Sequence, residues 1–367
     1  MDMTSSQSII DVSFGDIRGG PHEGIRTFVS DLAAQEWGGY TPPAGLIELR
    51  KELASYLQDA YQNEISSEHI LVTSGASSAL SAIYSLLTNK TVLIPEPGFP
   101  LYHKMLTQMD IAYNYYPLNI DTGWDDTLQA IEAGLQQGAT AVIWNFPNNP
   151  LGLIPPEKVV QKFCELCQTY KALCISDEVY RDFNGGQSFV SPVRWLPDQT
   201  LLVYSFSKAF AMAGARIGCI AGHPLLIRKL TKIHWNTGMS SAWLSQKAAI
   251  HALTYHKDYP QRLAEDVSEK MECVTQLLSN ADIPFYASRA GIFVCMDIAP
   301  LEMSAVEFAD LLYKNHRIIV MPGKEFGESA QSLIRISMGE QKNVVISAIH
   351  QMMSLYTQLI KRQEVEK

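Results

Sequence analysis

The chain has 367 residues, 47% of them hydrophobic and 18% charged, with a formal net charge of −9 at pH 7. That balance belongs to a globular chain with room for two domains and excludes a disordered one. An acidic chain with no basic block is not built to bind nucleic acid, and no run of about 18 apolar residues offers a membrane span. The start, Met1-Asp2-Met3, lacks the basic region of a secretory signal, so a cytoplasmic protein is expected.

Six cysteines are scattered along the chain. Cys164-x-x-Cys167 lies in a helical pattern with no second pair or nearby His to complete a metal site. Ordinary reduced thiols are expected, as in the cytoplasm. His251 and His256 stand five apart, which is not the spacing of a helical metal pair, and no metal is expected.

Residues 1–40 read as an N-terminal arm. Gly15, Gly19, Gly20 and Pro21 break any long helix, and one short helix is predicted over 25–34. The rigid turn Gly38-Gly39-Tyr40-Thr41-Pro42-Pro43-Ala44-Gly45 leads into a predicted amphipathic helix over 46–61, with Leu49, Leu53, Tyr56, Leu57 and Ala60 on one face. From residue 69, apolar strands alternate with helices. The predicted strands are 69–73, 91–95, 111–116, 139–144, 173–177, 201–205 and 217–221. They are apolar throughout, as when both faces of a sheet are covered. The last two have no clear crossover helix between them, which allows that pair to run antiparallel.

Helices follow from 224 to about 278, among them a long charged one from Asp258. The tail has predicted strands at 291–297, 318–321 and 332–337, and helices at 304–316 and 343–362. The fold expected is α/β: a large domain (41–265) with a mostly parallel seven-stranded sheet sandwiched by helices, and a smaller α+β domain (266–367).

In such a sheet, ligands bind beyond the carboxyl ends of the strands. Ser74-Gly75-Ala76-Ser77 follows the first strand and opens a helix, whose unpaired N–H groups suit an anion. Phe99 and Tyr102 follow the second strand on a constrained loop, where an aromatic ring can stack on a planar ligand. Asn145-Phe146-Pro147-Asn148-Asn149-Pro150 follows the fourth, and its amides suit an oxygen ligand. The fifth ends in Asp177-Glu178-Val179-Tyr180, and an acid at the end of a buried strand calls for a partner. After the sixth come Ser205, Ser207 and Lys208, set among Ala, Phe and Met, with Arg216 between Gly214 and Gly218. Desolvation lowers the pKa of such a lysine and frees its amine as a nucleophile able to form a Schiff base. The planar fork of Arg216 suits a phosphate. Singly, these are turns, caps and core residues. Together they place at strand ends every group needed to hold a phosphorylated aromatic aldehyde.

On these motifs the chain resembles the class I/II aminotransferases, pyridoxal-phosphate enzymes of fold type I, over nearly its whole length. The resemblance is carried by Tyr40-x-Pro-x-x-Gly45, Ser74-Gly75-Ala76, Asn145-x-Pro-x-Asn149-Pro150-x-Gly152, Asp177-Glu178-x-Tyr180, Ser205-x-Ser207-Lys208 and Gly214-x-Arg216-x-Gly218. Pro322-Gly323-x-x-Phe326-Gly327 and Leu333-Ile334-Arg335-Ile336-Ser337 match near the C-terminus. It implies that Lys208 carries the pyridoxal phosphate and moves the substrate proton, and that Asp177 keeps the pyridine nitrogen protonated. It implies that Asn149 and Tyr180 bond the phenolic oxygen and that Phe99 stacks on the ring. Gly75, Ala76, Ser77, Ser205, Ser207 and Arg216 would hold the phosphate, and Tyr40 would reach the neighbouring subunit's phosphate in a homodimer with shared active sites. Arg335 would clamp the substrate carboxylate, helped by Asn149 and the backbone near Gly15.

The implied reaction passes an amino group from an L-amino acid to a 2-oxo acid in a ping-pong cycle. Lyase, decarboxylase and oxidase chemistry use the same lysine and form the alternative. Two features depart from the family pattern: Leu151 stands where relatives commonly have Thr, and 15–21 lacks the usual Asp-Pro-rich form. Arg18, His22, Arg26, Trp37 and Arg289 are candidates to touch a substrate side chain. Ser205-x-x-Lys208 also matches penicillin-recognising serine enzymes, but neither Ser-Asp-Asn nor Lys-Thr-Gly follows it.

Overall fold

The computed structural model describes residues 9–118, 123–287 and 289–366. Residues 1–8 of the expected arm lie outside the described residues.

The larger sheet has seven strands. Across it they lie in the order Ile70–Thr73, Gly218–Ala221, Thr200–Ser205, Leu173–Asp177, Ala141–Asn145, Thr91–Glu96 and Ala112–Pro117. All pairings are parallel except those of Gly218–Ala221, which runs antiparallel to both neighbours. The chain makes that reversal without a crossover helix, through the short helix Phe206–Ala209 and the turn Ala213–Ala215.

Side chains alternate faces along a strand, and here both faces are apolar. Leu201 and Val203 pack with Leu80, Tyr102 and Leu230 from helices Ala76–Tyr84, Leu101–Gln108 and Pro224–Gly238. Leu202 and Tyr204 point the other way, into a core shared with Leu49 and Leu53 of Ile47–Tyr56 and Ala249 and Leu253 of Trp243–Tyr255. Further along that face, Val142 and Trp144 pack on Ile131 and Phe163 of Trp124–Gln136 and Glu157–Thr169. The layered α/β sandwich is therefore the one expected.

The C-terminal sheet is antiparallel, in the order Met321–Pro322, Leu333–Ser337, Phe293–Asp297, Phe285–Tyr286. Its core, with Val294, Ile334 and Ile336, is covered by Tyr259–Asn280, Ala305–His316 and Lys342–Glu366.

Several elements differ from expectation. Within the arm, Ile10–Asp11 forms an unpredicted strand that pairs in parallel with Ile318–Ile319. Val12 then donates to the Ile319 carbonyl at 3.0 Å and accepts from the Ser337 amide at 2.8 Å, and Val12 and Ile17 are buried in the C-terminal core. The strand predicted over 318–321 is accordingly two pieces with different partners, Ile318–Ile319 and Met321–Pro322. The helix predicted over 46–61 ends at Tyr56 and continues as the 3-10 turn Gln58–Ala60. The short helix of the arm is Glu23–Gln35.

Candidate active site

A cavity of about 280 Å³ opens at the carboxyl ends of the central strands, between the two sheets. Strand Leu173–Asp177 ends in it with Asp177, whose carboxylate is buried. Oδ2 accepts from the Tyr102 hydroxyl at 2.7 Å and Oδ1 from the Val179 amide at 3.3 Å. Burial pushes this carboxyl up to about 6, against the opposing pull of those two donors. Neither donor is a cation, so the ionised form still lacks a charge partner.

The neighbouring strand contributes Asn145 and the loop after it. Asn145 donates to the Asp177 carbonyl at 3.1 Å and accepts from the Asn149 amide at 3.1 Å, which locks the loop to the strand end. Asn149 Oδ1 in turn accepts from Arg335 Nη1 at 2.9 Å, leaving Nδ2 as the donating end of that side chain.

Arg335, on strand Leu333–Ser337, is buried between two rings, its guanidinium carbon 4.1 Å from the centroid of Phe293 and 4.8 Å from that of Phe326. Nη2 donates to the Ser13 carbonyl, and Nε has no hydrogen-bond partner. Burial lowers its pKa to about 10. A buried guanidinium with an unused donor is a site for a carboxylate.

Lys208 sits in the short helix after Thr200–Ser205. Burial lowers its pKa; Asp16 pulls the other way, and the positive charges of Arg335 and Arg216 lower it further. Burial raises the phenol pKa of Tyr180, which stands edge-on to Phe293 at 5.7 Å.

A second group of residues forms an anion cradle. Helix Ala76–Tyr84 begins at Gly75 without a side-chain cap, so its first N–H groups are unclaimed by the chain's own side chains. The Ser205 hydroxyl donates to Ser207 Oγ at 2.9 Å, and Arg216, in the left-handed region at φ 50°, donates from Nη1 to the Ala213 carbonyl at 3.0 Å. A Cβ on Gly75 would stand 2.7 Å from Arg216 Nη2, so glycine is what lets the guanidinium lie across the helix start. Hydroxyls, a guanidinium and a helix N-terminus converging on one end of a cavity suit a phosphate.

Of the residues singled out in the sequence, Gly15, Ala76, Ser77, Phe99, Asn149 and Asp177 line the cavity. So do Tyr180, Ser205, Ser207, Lys208, Arg216 and Arg335. Gly75 lies just behind Arg216. Tyr40 is 81% exposed and outside the lining. Arg18, His22, Arg26, Trp37 and Arg289 do not line it either: Arg18 bridges Asp11 at 3.2 Å and Glu340 at 3.0 Å, and His22 stacks on His256. The contacts that Ser13, Asn145, Tyr102 and Phe293 make here carry no signal in the sequence. The Asn145 and Tyr102 contacts depend on which strands are neighbours; those of Ser13 and Phe293 depend on how the arm meets the C-terminal sheet.

Comparison with known proteins agrees with this architecture. The sequence profile described as "Aminotransferase class I and II" matches residues 7–349. "Aspartate aminotransferase" of Pyrococcus horikoshii is 25% identical, over 94% of this chain and 90% of that protein. "Aromatic-amino-acid aminotransferase 2" of Thermococcus litoralis is 24% identical, over 90% of this chain and 87% of its own length. Among solved structures, aspartate aminotransferase from Thermus thermophilus with maleate superposes with a TM-score of 0.88 at 22% identity, covering 95% of this chain and 92% of that one. The family match defines an enzyme that transfers amino groups. The chain belongs to the aminotransferase class I and II family.

Proposed function

We propose that the chain is a pyridoxal-phosphate-dependent aminotransferase that takes the amino group of an L-amino acid and delivers it to a 2-oxo acid in a ping-pong cycle. The observation that carries this reading is the convergence of Lys208, Asp177 and Arg335 on one cavity whose end is the anion cradle at Gly75 and Arg216. These groups fit pyridoxal phosphate: the cradle suits its phosphate, and buried Asp177 suits a protonated ring nitrogen. When bound, that group supplies an aldehyde carbon for the amino group and a ring that takes up the electrons left at Cα.

The chain's own residues would do the rest. Asp177, needing a cation, holds the proton on the ring nitrogen. The Asn149 amide and the Tyr180 hydroxyl donate to the phenolic oxygen, and Phe99 lies against the ring. Arg335 holds the substrate carboxylate and so fixes which Cα bond faces Lys208. Burial lowers the pKa of Lys208, which favours the neutral amine that can accept the Cα proton and return it elsewhere.

A homodimer with shared active sites is part of this proposal. Its support is an apolar patch outside the cavity. Trp37 is 74% and Tyr40 81% exposed. They flank Gly38, which abuts the Trp243 ring, and Tyr40 precedes Thr41, whose amide donates to Ser240 Oγ at 3.3 Å beside exposed Met239. We place the enzyme in the cytoplasm, on the strength of six free thiols, five of them buried. Among the described residues no helix is long and apolar enough to cross a membrane.

The test is the visible absorption of the purified protein. A yellow band that bleaches with an amino acid and returns with a 2-oxo acid is expected. Release of ammonia or carbon dioxide without bleaching would replace transamination by lyase or decarboxylase chemistry. Lys208→Ala should abolish exchange of the Cα proton. Arg335→Ala should weaken carboxylate binding by about 3–5 kcal/mol, and unchanged affinity would remove Arg335 from the site.

A further inference from the structure

The wall around Arg335 is apolar. Met321 is its cross-strand neighbour, Phe293 and Phe326 sandwich its guanidinium, and Phe14 directly follows Ser13, whose carbonyl it holds. Phe14 and Met321 both line the cavity, and Phe14 is 68% exposed among the described residues. A substrate whose carboxylate sits on Arg335 leaves its side chain among Phe14, Met321 and Phe326.

Among the described residues, the cations that line the cavity leave none for a second carboxylate there. They are Lys208, Arg216 and Arg335, each already assigned. Arg18 is held by Asp11 and Glu340, and Lys104 is held by Glu325 at 3.0 Å. Lys324 is exposed and outside the lining. Asp16 follows Gly15 and lies near enough to the Lys208 amine to favour its charge, so an anionic side chain would meet a like charge. The edge proposed to face a partner subunit presents Trp37, Tyr40 and Met239, and the lysine beside them, Lys247, lies over the Trp243 ring at 5.7 Å.

We propose that the amino donor carries a neutral, apolar side chain, aromatic or large aliphatic, and that Phe14 and Met321 form the wall against which it packs. The proposal rests on the aminotransferase reading above, with Arg335 as carboxylate clamp. It differs from what the name of the Pyrococcus relative would suggest, because an acidic donor needs a second positive partner in the cavity. A desolvated carboxylate without one is strongly disfavoured, whereas a large apolar side chain gains from leaving water.

The test uses the cofactor-loaded enzyme and two unreactive carboxylates, 3-phenylpropanoate and succinate, followed by the change each causes in the visible spectrum. 3-Phenylpropanoate is expected to bind at least about 10-fold more tightly. Equal or tighter binding of succinate overturns the proposal. In single turnovers, phenylalanine or leucine should bleach the band with a rate-to-affinity ratio at least about 100-fold above that of aspartate. Aspartate matching them overturns it while leaving the transamination reading intact. Conversely, if no amino acid reacts but 3-phenylpropanoate still outbinds succinate, the reaction falls and the apolar wall stands. Phe14→Ala should narrow the binding ratio by about 10-fold, and so should Met321→Lys, which offers succinate a cation. A ratio unmoved by both substitutions takes these residues out of the wall.

Discussion

Asp177 shows how one residue couples the fold to its ligand. Its carboxyl titrates near 6 instead of the ordinary 3.8, because burial outweighs the help of Tyr102 and Val179. A carboxyl raised in the folded state stabilises the fold fully below its unfolded pKa, and that contribution is lost as pH rises through the folded value. About two pKa units correspond to about 3 kcal/mol. For the cofactor-free chain we therefore expect the stability of the wild type relative to Asp177→Asn to fall as pH is raised from about 4 to about 7. Thermal unfolding of both proteins across that range measures it, and parallel curves would mean that Asp177 does not titrate there. Tyr102→Phe removes one of the two donors and should move the fall to higher pH, since that hydroxyl lowers the pKa.

At the scale of elements, the turn from Ile70–Thr73 into Ala76–Tyr84 carries a strict requirement. Gly75 has φ 81° and ψ 174°, a region almost closed to side chains, and its missing Cβ is the space that Arg216 fills. Gly75→Ala should cost about 1–3 kcal/mol in backbone strain and push the guanidinium out of the cradle. Loss of bound pyridoxal phosphate during gel filtration, together with a lowered unfolding midpoint, would report both effects. Retention of cofactor at wild-type strength would mean that the cradle is not built at this turn.

The strands whose ends surround the cavity were legible in the sequence because they are continuous apolar runs between breakers, as Leu201 to Tyr204 illustrates. The groups at those ends were legible too, since Lys208, Asp177 and Asn149 are polar residues where a buried run stops. What was not legible is pairing at short range in space and long range in sequence. Ile10–Asp11 and Phe285–Tyr286 are two residues each, too short for any periodicity, and exist only because Ile318–Ile319 and Phe293–Asp297 offer them an edge. The Ser13–Arg335 contact follows from the first of these pairings, across 322 positions. The Arg18 ion pair is illegible for the same reason: its partner Glu340 comes from the far end of the chain.

For the whole molecule, the uncovered Trp37, Tyr40 and Met239 mark one face as unfinished. Apolar side chains gathered on one surface mark an interface, and Trp37→Glu should convert the expected dimer to monomer in sedimentation velocity. Because Tyr40 would act across that interface, the same variant should also lose cofactor on dilution. A monomeric wild type would dismiss the shared site.

The arm that runs from Ile9 to Gly20 is stitched into the C-terminal sheet by Val12, clipped to Glu340 by Arg18, and tethered at Gly20 by the Tyr259 hydroxyl at 2.8 Å. Its backbone contacts are with the strands beside Arg335, Ile318–Ile319 and Leu333–Ser337. Should the two sheets hinge about each other, the clamp and the cover over it would move as one jaw. Removing residues 9–20 would therefore not trim a loose end; it would strip the strand paired with Ile318–Ile319, expose the buried faces of Ile318 and Ile336, and leave the guanidinium without its backbone rest.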